Sequence, residues 1–337
     1  MIRLSVRLSC ALALVALSLP AALPAAQQTP AVPAAQKPPE PTPAAPAPSA
    51  APAFPKPSAT NFTAAAPSKE LVNAFLQTVW GYDPDRIWQV QAILKTQAEG
   101  VSQVIILVAD KSGKQKPAAV EFFVLPDEKH IVAQNSILPF GADPYAEARA
   151  TLQQRAVGPY RGSASKDLEL VEFADFQCPH CAEAQANMNK LAVDFPRARI
   201  VFENFPLPQH PEARIAAAYG HCVAKLGGDD AFFSFAAAVY DGQAGLETPD
   251  GATLTLNSAV AKAGLNPAKV AACAAMPEAM AKVDASVKLA EDLQIHETPL
   301  LMINGRPVPA NAPYETLRKI IDYQAKLDGV AQDAAAN

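Results

Sequence analysis

The chain has 337 residues, of which 50% are hydrophobic and 18% are charged, so it is long enough and apolar enough to build about two domains with packed cores. Its formal net charge of −5 at pH 7 supplies neither a basic face for nucleic acid nor a polybasic patch for a membrane surface. Nucleic acid is therefore excluded as an expected partner.

The first 26 residues have the pattern of a secretory signal peptide. Arg3 and Arg7 precede an apolar run over 8–19, and small residues over 21–26 supply a cleavage site. The alternative is an uncleaved helix that anchors the chain in a membrane, although the apolar run is short for that role. We therefore expect a periplasmic or otherwise extracytoplasmic protein, released by cleavage of residues 1–26.

Residues 27–67 are rich in Ala and Pro and contain almost no periodic apolar residues. Such a segment cannot bury enough surface to offset the entropy lost on ordering it. The composition predicts an extended, disordered linker ahead of the first folded unit.

Residues 68–142 predict a small α+β domain. Ser68 is suited to cap a helix whose apolar residues recur at helical spacing from Leu71 to Val79. Four apolar segments bounded by turn residues predict strands over 87–94, 101–108, 119–125 and 131–133. Because this domain contains no cysteine and no cluster of catalytic side chains, binding, spacing or dimerisation is its expected role.

A linker helix is predicted over 143–157, because Asp143 is suited to cap it and Pro144 to occupy its first position. From 158 to 328 the pattern becomes α/β. Strands over 168–174 and 198–205 flank a helix over 182–195, which makes the two strands parallel. Residues 329–337 predict a flexible tail.

The remainder of the α/β region predicts a helical insertion followed by a return to the sheet. Helical segments occupy much of 210–293, and a third strand follows over 300–304. Asn304-Gly305 is a two-residue hairpin signal that leads into a further extended segment. A closing helix over 313–327 completes the region.

A Cys-x-x-Cys pair lies where the first strand of this region meets its helix, an arrangement typical of thiol–disulfide exchange. Apolar residues recur on one face of that helix at Cys181, Ala184, Met188, Leu191 and Phe195. Cys181 is therefore expected to be buried, whereas Cys178, at the first turn, is expected to meet solvent. Pro179 occupies the first helical position, where its missing N–H costs no hydrogen bond.

The position of Cys178 predicts a stabilised thiolate. The N-terminal N–H groups and the dipole of the helix favour an anion there, and His180 adds a donor and a positive charge. A stabilised thiolate stabilises the reduced form and makes the disulfide a stronger oxidant. The pair could instead be half of a zinc site or a purely structural disulfide, but the sequence offers no second ligand pair at zinc spacing.

The segment VEFADFQCPHC at 171–181, followed more than a hundred residues later by Thr298-Pro299, resembles thioredoxin-fold proteins of the DsbA-like group. The resemblance covers Asp167 to about Leu327. It implies an α/β thioredoxin fold with an inserted helical subdomain, here preceded by the small α+β domain. The dipeptide Pro179-His180 matches the strongly oxidising members.

The same resemblance implies residue roles. Cys178 would be the nucleophile and Cys181 the resolving thiol. Pro299 would be a cis-proline facing the pair, with the Thr298 backbone pairing with an extended substrate. Glu172 would be the buried acid that exchanges a proton with Cys181 through water; a solvated position on the strand face is the alternative for it.

The N-terminal arrangement resembles DsbC-type isomerases in layout, which implies a homodimer through residues 68–142. Thr298 before the proline is typical of isomerases, whereas Pro179-His180 is typical of oxidases. The direction of electron flow therefore stays open at this point.

Two further cysteines predict a structural disulfide. The sequence contains 5 cysteines, and Cys10 falls in the predicted signal peptide, which leaves four. Cys222 and Cys273 each lie on the apolar face of a predicted helix, and an oxidising compartment favours their pairing. Two buried free thiols are the alternative.

The sequence thus predicts an exported thiol:disulfide oxidoreductase that exchanges disulfides with cysteine-containing secreted polypeptides, with the oxidase direction favoured. No organic cofactor and no metal are required by this chemistry. A membrane redox partner is expected to recycle the Cys178–Cys181 pair. The alternatives are a disulfide isomerase or reductase, and a thioredoxin-fold chaperone or binding module that holds polypeptides without redox chemistry.

Overall fold

The N-terminal part of the described chain, through residue 139, folds as one helix on an antiparallel sheet. The structure is a computed structural model that describes residues 54–113, 116–133 and 136–330, all within one compact unit of residues 48–337. The predicted signal peptide, most of the predicted linker and most of the tail lie outside these residues. Helix α1 (Lys69–Trp80) begins at its predicted cap, where Ser68 Oγ accepts a hydrogen bond from the Leu71 N–H at 3.1 Å.

Five strands form the first sheet and follow one another in spatial order: β1 (Arg86–Lys95), β2 (Ser102–Asp110), β3 (Ala118–Val124), β4 (His130–Ala133) and β5 (Ser136–Pro139). All their pairings are antiparallel. Val72 and Leu76 of α1 pack on Val104 and Ile106 of β2 to form the core. The α+β prediction for this region is confirmed, and β5 was missed because its four residues are all exposed and carry no buried alternation.

The predicted linker is too long at its C-terminal end. Ser58 caps a short 3-10 turn over Ala59–Asn61, and the N–H groups of Thr63 and Ala64 then donate to the Ile93 carbonyl at 3.0 and 3.1 Å. Phe62 packs against the core of the first sheet. One aromatic side chain thus supplies the apolar burial that the Ala/Pro-rich sequence around it lacks.

The second sheet has the order β10-β9-β7-β8-β6, with β6 at one edge and β10 at the other. Its strands are β6 (Tyr160–Gly162), β7 (Glu169–Ala174), β8 (Arg199–Asn204), β9 (Leu300–Ile303) and β10 (Arg306–Pro309). β7 and β8 are parallel, as predicted from the helix between them, and the other pairings are antiparallel. The central strands β7 and β8 are buried at every position, because helices cover both faces of the sheet.

Eight helices accompany the two sheets in the described residues. Besides α1, they are α2 (Ala146–Arg155), α3 (Pro179–Asp194), α4 (Ala213–Asp241), α5 (Pro249–Lys262), α6 (Pro267–Ala274), α7 (Pro277–Asp292) and α8 (Tyr314–Leu327). Helices α4 to α7 form the insertion, and α4 is broken at Gly228, whose φ of 82° is outside the helical range. None of these helices is both long and apolar enough to cross a membrane.

The hairpin between β9 and β10 is where the sequence predicted it. Asn304 and Gly305 have φ values of 45° and 88°, the left-handed conformation that a two-residue hairpin turn requires. Asn304 Nδ2 also donates to the Asp167 carbonyl at 2.9 Å. The turn therefore joins the edge hairpin to the start of the central strand β7.

The predicted start of the linker helix is wrong. Helix α2 begins at Ala146 with Tyr145 before it, and neither Asp143 nor Pro144 is helical. The ring of Tyr145 lies under the guanidinium of Arg306, 4.9 Å from its centroid. This tertiary contact holds the residues before Ala146 outside the helix.

Arg306 also connects the first domain to the second. Its side chain is buried and donates to the carbonyls of Thr78 and Val79 at the C-terminal end of α1, and to Gln324 Oε1 at 2.9 Å. The last carbonyls of a helix have no partner within the helix and favour a positive charge. Arg306 therefore satisfies the end of α1 from the edge of the second sheet.

Candidate functional site

The Cys-x-x-Cys pair lies at the C-terminal end of the central strand β7. Cys178 occupies the position before the first turn of α3, and Pro179 is its first helical residue. Cys181 is completely buried, as the helical periodicity predicted. Strand β7 leads the pair to the end of the sheet, and α3 fixes the spacing of the two sulfurs.

Cys178 is less exposed than its sequence position suggested, with only 5% of its surface accessible. Its thiol faces the Thr298 carbonyl, with 3.8 Å between sulfur and oxygen, and it packs in the same apolar cluster as residues of the helical insertion. The burial of Cys178 has a tertiary cause, because neither the Thr298 segment nor the helical insertion is close to Cys178 in sequence.

The surroundings of Cys178 favour its thiolate. A hydrogen bond from Cys181 is the largest cause, and together with the N–H groups of Cys181 and His180 it lowers the pKa of Cys178 to about 5, against the opposing effect of burial. Burial and the neighbouring Cys178 raise the pKa of Cys181. The two sulfurs are therefore inequivalent: one is held as an anion and the other as a thiol.

His180 acts on the pair differently from the prediction. Its ring is exposed and lies 3.0 Å from Glu183 Oε2, which raises the pKa of His180. The hydrogen bond that His180 donates to Cys178 comes from its backbone N–H. The Cys178 thiolate is therefore favoured mainly by the Cys181 thiol, with help from the N–H groups at the start of α3, while its negative charge also helps to raise the pKa of the His180 ring.

The segment opposite Cys178 contains the predicted proline. The Thr298–Pro299 peptide bond is cis, and it precedes strand β9. Thr298 Oγ1 is buried without a hydrogen-bond partner among the described residues. Thr298 and Pro299 are thus brought to Cys178 from the other end of the sequence.

Glu172 lies inside the fold, on the central strand, with 2% of its surface accessible. Gln185 Nε2 donates to its Oε1 at 2.8 Å. Burial raises the pKa of Glu172 to about 7, partly offset by the Gln185 hydrogen bond and by the charge of Arg161. The alternative of a solvated strand face is therefore wrong, since strand β7 is covered on both sides.

The loop that carries Cys178 is held by side chains that the sequence did not single out. Asp175 is buried, and its carboxylate accepts hydrogen bonds from the N–H groups of Gln177 and Leu207 at 2.7 and 2.8 Å and lies 2.7 Å from His210 Nδ1. The sequence feature that could have identified Asp175 is its position between a buried strand and the first cysteine. Asp175 ties the loop to the beginning of the helical insertion.

The helical insertion holds the loop from a second side. Gln243 Nε2 donates to the carbonyls of Phe176 and Cys178, both at 2.9 Å. Gln177 in turn donates to the Leu246 carbonyl at 3.0 Å and accepts from the Glu212 N–H at 2.9 Å. Nothing local in the sequence marks Gln243, because it follows Cys178 by 65 residues.

Cys222 and Cys273 are joined by a disulfide that links α4 to α6 within the helical insertion. The structure thus brings the two sulfurs together and leaves Cys178 and Cys181 as the free cysteines of the described residues. In that part of the chain, no three His, Cys, Asp or Glu side chains cluster as ligands for a metal ion.

The sequence matches a protein-family model described as Thioredoxin over residues 155–323, half of the chain. Among curated proteins, a Na⁺/H⁺ antiporter NhaA 3 of Salinispora tropica is 37% identical over 68 residues, or 20% of this chain and 10% of the antiporter. An antiporter NhaA of Herminiimonas arsenicoxydans is 27% identical over 163 residues, 48% of this chain and 25% of the antiporter. The chain therefore spans a tenth to a quarter of the length of these relatives.

Among solved structures, a thioredoxin-like oxidoreductase from Silicibacter pomeroyi aligns with 53% of this chain and 98% of its own, with 23% identity and a TM-score of 0.45. A periplasmic thioredoxin-like protein from Salmonella enterica aligns with 53% of this chain and 97% of its own, with 20% identity and a TM-score of 0.44. The matched half of the chain contains both cysteine pairs, Glu172 and the Thr298–Pro299 peptide.

Proposed function

The chain belongs to the thioredoxin family, and we propose that it is an exported thiol:disulfide oxidoreductase acting on cysteine-containing polypeptides, mainly as an oxidase. The observation that carries the proposal is the position of Cys178 at the start of α3, beside the buried thiol of Cys181 and opposite the Thr298 carbonyl, in surroundings that lower the pKa of Cys178. The export part rests on the signal-like pattern of residues 1–26, which lie outside the described residues.

The exchange proceeds in two displacement steps. In the oxidised protein, a substrate thiolate attacks Cys178 Sγ, a mixed disulfide forms, and Cys181 leaves with the electron pair of the broken S–S bond. Cys181 takes up a proton, for which Glu172 is the buried donor. A second substrate thiolate then attacks the substrate sulfur of the mixed disulfide, so the substrate gains a disulfide and Cys178 leaves as the thiolate.

The Thr298–Pro299 segment is proposed to hold the polypeptide during these steps. An extended chain that pairs with backbone groups needs no particular side chains, which suits an enzyme with many substrates. The carbonyl of Thr298 lies 3.8 Å from Cys178 Sγ, so a chain bound at this edge brings its cysteine to Cys178 Sγ. A membrane protein that accepts electrons from Cys178 and Cys181 is the proposed redox partner.

The oxidase direction predicts the reduction potential of the pair. With a Cys178 pKa of about 5, against about 7 in thioredoxin, the reduced form gains about 2.3 kcal/mol more at pH 7, equivalent to about 50 mV. Starting from about −270 mV for thioredoxin, we expect about −220 mV or a more oxidising value. Equilibration of the purified protein with glutathione buffers measures it, and a potential of about −270 mV or lower would instead fit a reductase.

An isomerase is the second candidate, and a surface of the first domain favours it. Phe123, Val132 and Ile137 lie opposite one another across β3, β4 and β5, on the face turned away from α1. Phe123 and Ile137 are 37% and 56% exposed. We propose that a second copy of the chain covers this face. Sedimentation is therefore expected to give a dimer for the parent protein and a monomer for Ile137→Lys. A monomeric parent protein would contradict both the dimer and the isomerase layout that depends on it.

A further inference from the structure

A cavity of about 170 Å³ lies between α3 and the second half of α4. It adjoins the hydrogen bond that holds Glu172, because Gln185 both lines the cavity and donates to Glu172 Oε1. The cavity is lined by several polar side chains: Arg161, Gln185, Asn189, Tyr240 and Asp241. The small side chain of Ala237 lies at its mouth. A polar cavity of this size has room for several water molecules.

Tyr240 lines the buried end of this cavity. The residue is buried, and its hydroxyl is buried without a hydrogen-bond partner among the described residues. Its ring packs on Phe176, 5.4 Å between centroids, two residues before Cys178. Buried hydroxyls are nearly always hydrogen-bonded, to protein or to ordered water. We therefore expect the Tyr240 hydroxyl to bond a water molecule in the cavity that the residue lines.

The titratable groups around this hydroxyl belong to the site. Burial raises the pKa of Tyr240 well above its usual value, and the neighbouring acidic groups of Cys181, Glu172, Asp175 and Cys178 add to the effect. Tyr240 is therefore a hydrogen-bond donor throughout the working pH range. Of the charged groups near Glu172, Arg161 on β6 is the cation.

The outer end of the cavity reaches the surface. Asn189 of α3 and Ala237 and Asp241 of α4 line it and are exposed. Cys178, Thr298 and Pro299 do not line it. A polypeptide held at Cys178 and the Thr298–Pro299 segment therefore leaves this opening uncovered.

We infer that this cavity is the proton exit of the buried pair, and that Tyr240 is the positioning residue for the water through which Glu172 exchanges protons with solvent. The inference rests on the proposed function. When Cys181 attacks Cys178 Sγ of the mixed disulfide, its proton passes to the Glu172 carboxylate, and the sulfur of the bound substrate leaves with the electron pair of the broken S–S bond. Glu172 then returns the proton to solvent through the cavity while the substrate edge is occupied.

Two variants test this inference without touching the reacting sulfurs. Ala237→Trp places a bulky side chain in the mouth of the cavity, and Tyr240→Phe removes only the inner hydroxyl. Displacing water from beside a buried carboxylate disfavours its charged form, so we expect the pKa of Glu172 to rise by about one unit in Ala237→Trp and by less in Tyr240→Phe. Ala281→Trp, at an exposed alanine of α7 that does not line the cavity, is the matched control.

Two readouts follow the change. Carboxyl infrared or carbon-13 spectra against pH give the pKa of Glu172, and rapid mixing gives the rate at which Cys181 resolves a mixed disulfide with glutathione. With the Glu172 pKa near 7 in the parent, a rise of one unit lowers its carboxylate fraction, and hence the resolution rate at pH 7, about fivefold, with recovery near pH 9.

The outcomes separate this inference from the proposed function. A shifted pH profile in both cavity variants, with an unchanged profile in Ala281→Trp, supports the proton exit. Unchanged spectra and rates in both folded cavity variants would overturn the inference and leave the oxidoreductase in place. No exchange with glutathione in the parent protein would instead overturn the proposed function.

Discussion

The Cys178→Ser variant is expected to lose more than about 10³-fold of its activity in the reduction of insulin by dithiothreitol, because loss of a catalytic nucleophile leaves only binding effects. Both displacement steps form or break a bond at Cys178 Sγ. A serine hydroxyl is uncharged at neutral pH and cannot form a disulfide. The loss is therefore expected at every substrate concentration, as a fall in rate rather than weaker binding.

The matched control is Cys181→Ser, which keeps the nucleophile and removes the resolving thiol. It is expected to accumulate a mixed disulfide at Cys178 with a cysteine-containing peptide, detectable by mass, whereas Cys178→Ser forms none. Retained insulin reduction in Cys178→Ser would contradict the account. Suppression of aggregation that survives replacement of both cysteines would favour the chaperone or binding module instead.

The second large effect is the pH dependence of the reduced protein. The folded pKa of Cys178, about 5, is lower than the value of about 8.5 expected for an unfolded cysteine. A group whose pKa is lower in the folded than in the unfolded protein stabilises the fold. This contribution is fully present above the unfolded pKa and is lost as the pH falls through the folded pKa. At pH 7 the reduced protein is expected to gain about 2–3 kcal/mol from this group, and almost none near pH 4.

The oxidised protein lacks this contribution, because disulfide sulfurs do not titrate. As the pH falls from 7 to 4, the unfolding temperature of the reduced form is therefore expected to fall relative to that of the oxidised form. Calorimetry of both redox forms measures it. Cys178→Ser, which has neither the Cys178–Cys181 disulfide nor a titrating Cys178, is the control: the difference between its unfolding temperature and that of the oxidised parent should lose most of its pH dependence.

The sequence predicted those features that local pattern determines. The apolar stripe that begins at Cys181 follows from the helical repeat, and the hairpin at Asn304-Gly305 follows from turn chemistry. The parallel pairing of β7 and β8 follows from the helix that joins them. Each of these depends on residues within one or two neighbouring elements.

The features that the sequence missed depend on contacts between distant segments. Cys178 is covered because Thr298, 120 residues later, lies against its sulfur. Gln243 holds the carbonyl of Cys178 from the helical insertion, and Arg306 and Tyr145 together displace the start of α2. No periodicity or spacing records such contacts. The ring of His180 is turned toward Glu183, three residues along the same helix, and that pairing was readable from sequence.

The central claim is that Cys178 is a thiolate at neutral pH, and a titration of the reduced protein tests it most directly. The ultraviolet absorbance of the thiolate, or the rate of alkylation by iodoacetamide, is followed against pH, with Cys178→Ser as the blank. The account predicts a single transition with a midpoint at about 5. A midpoint near about 8.5, the value of an ordinary cysteine, would contradict it.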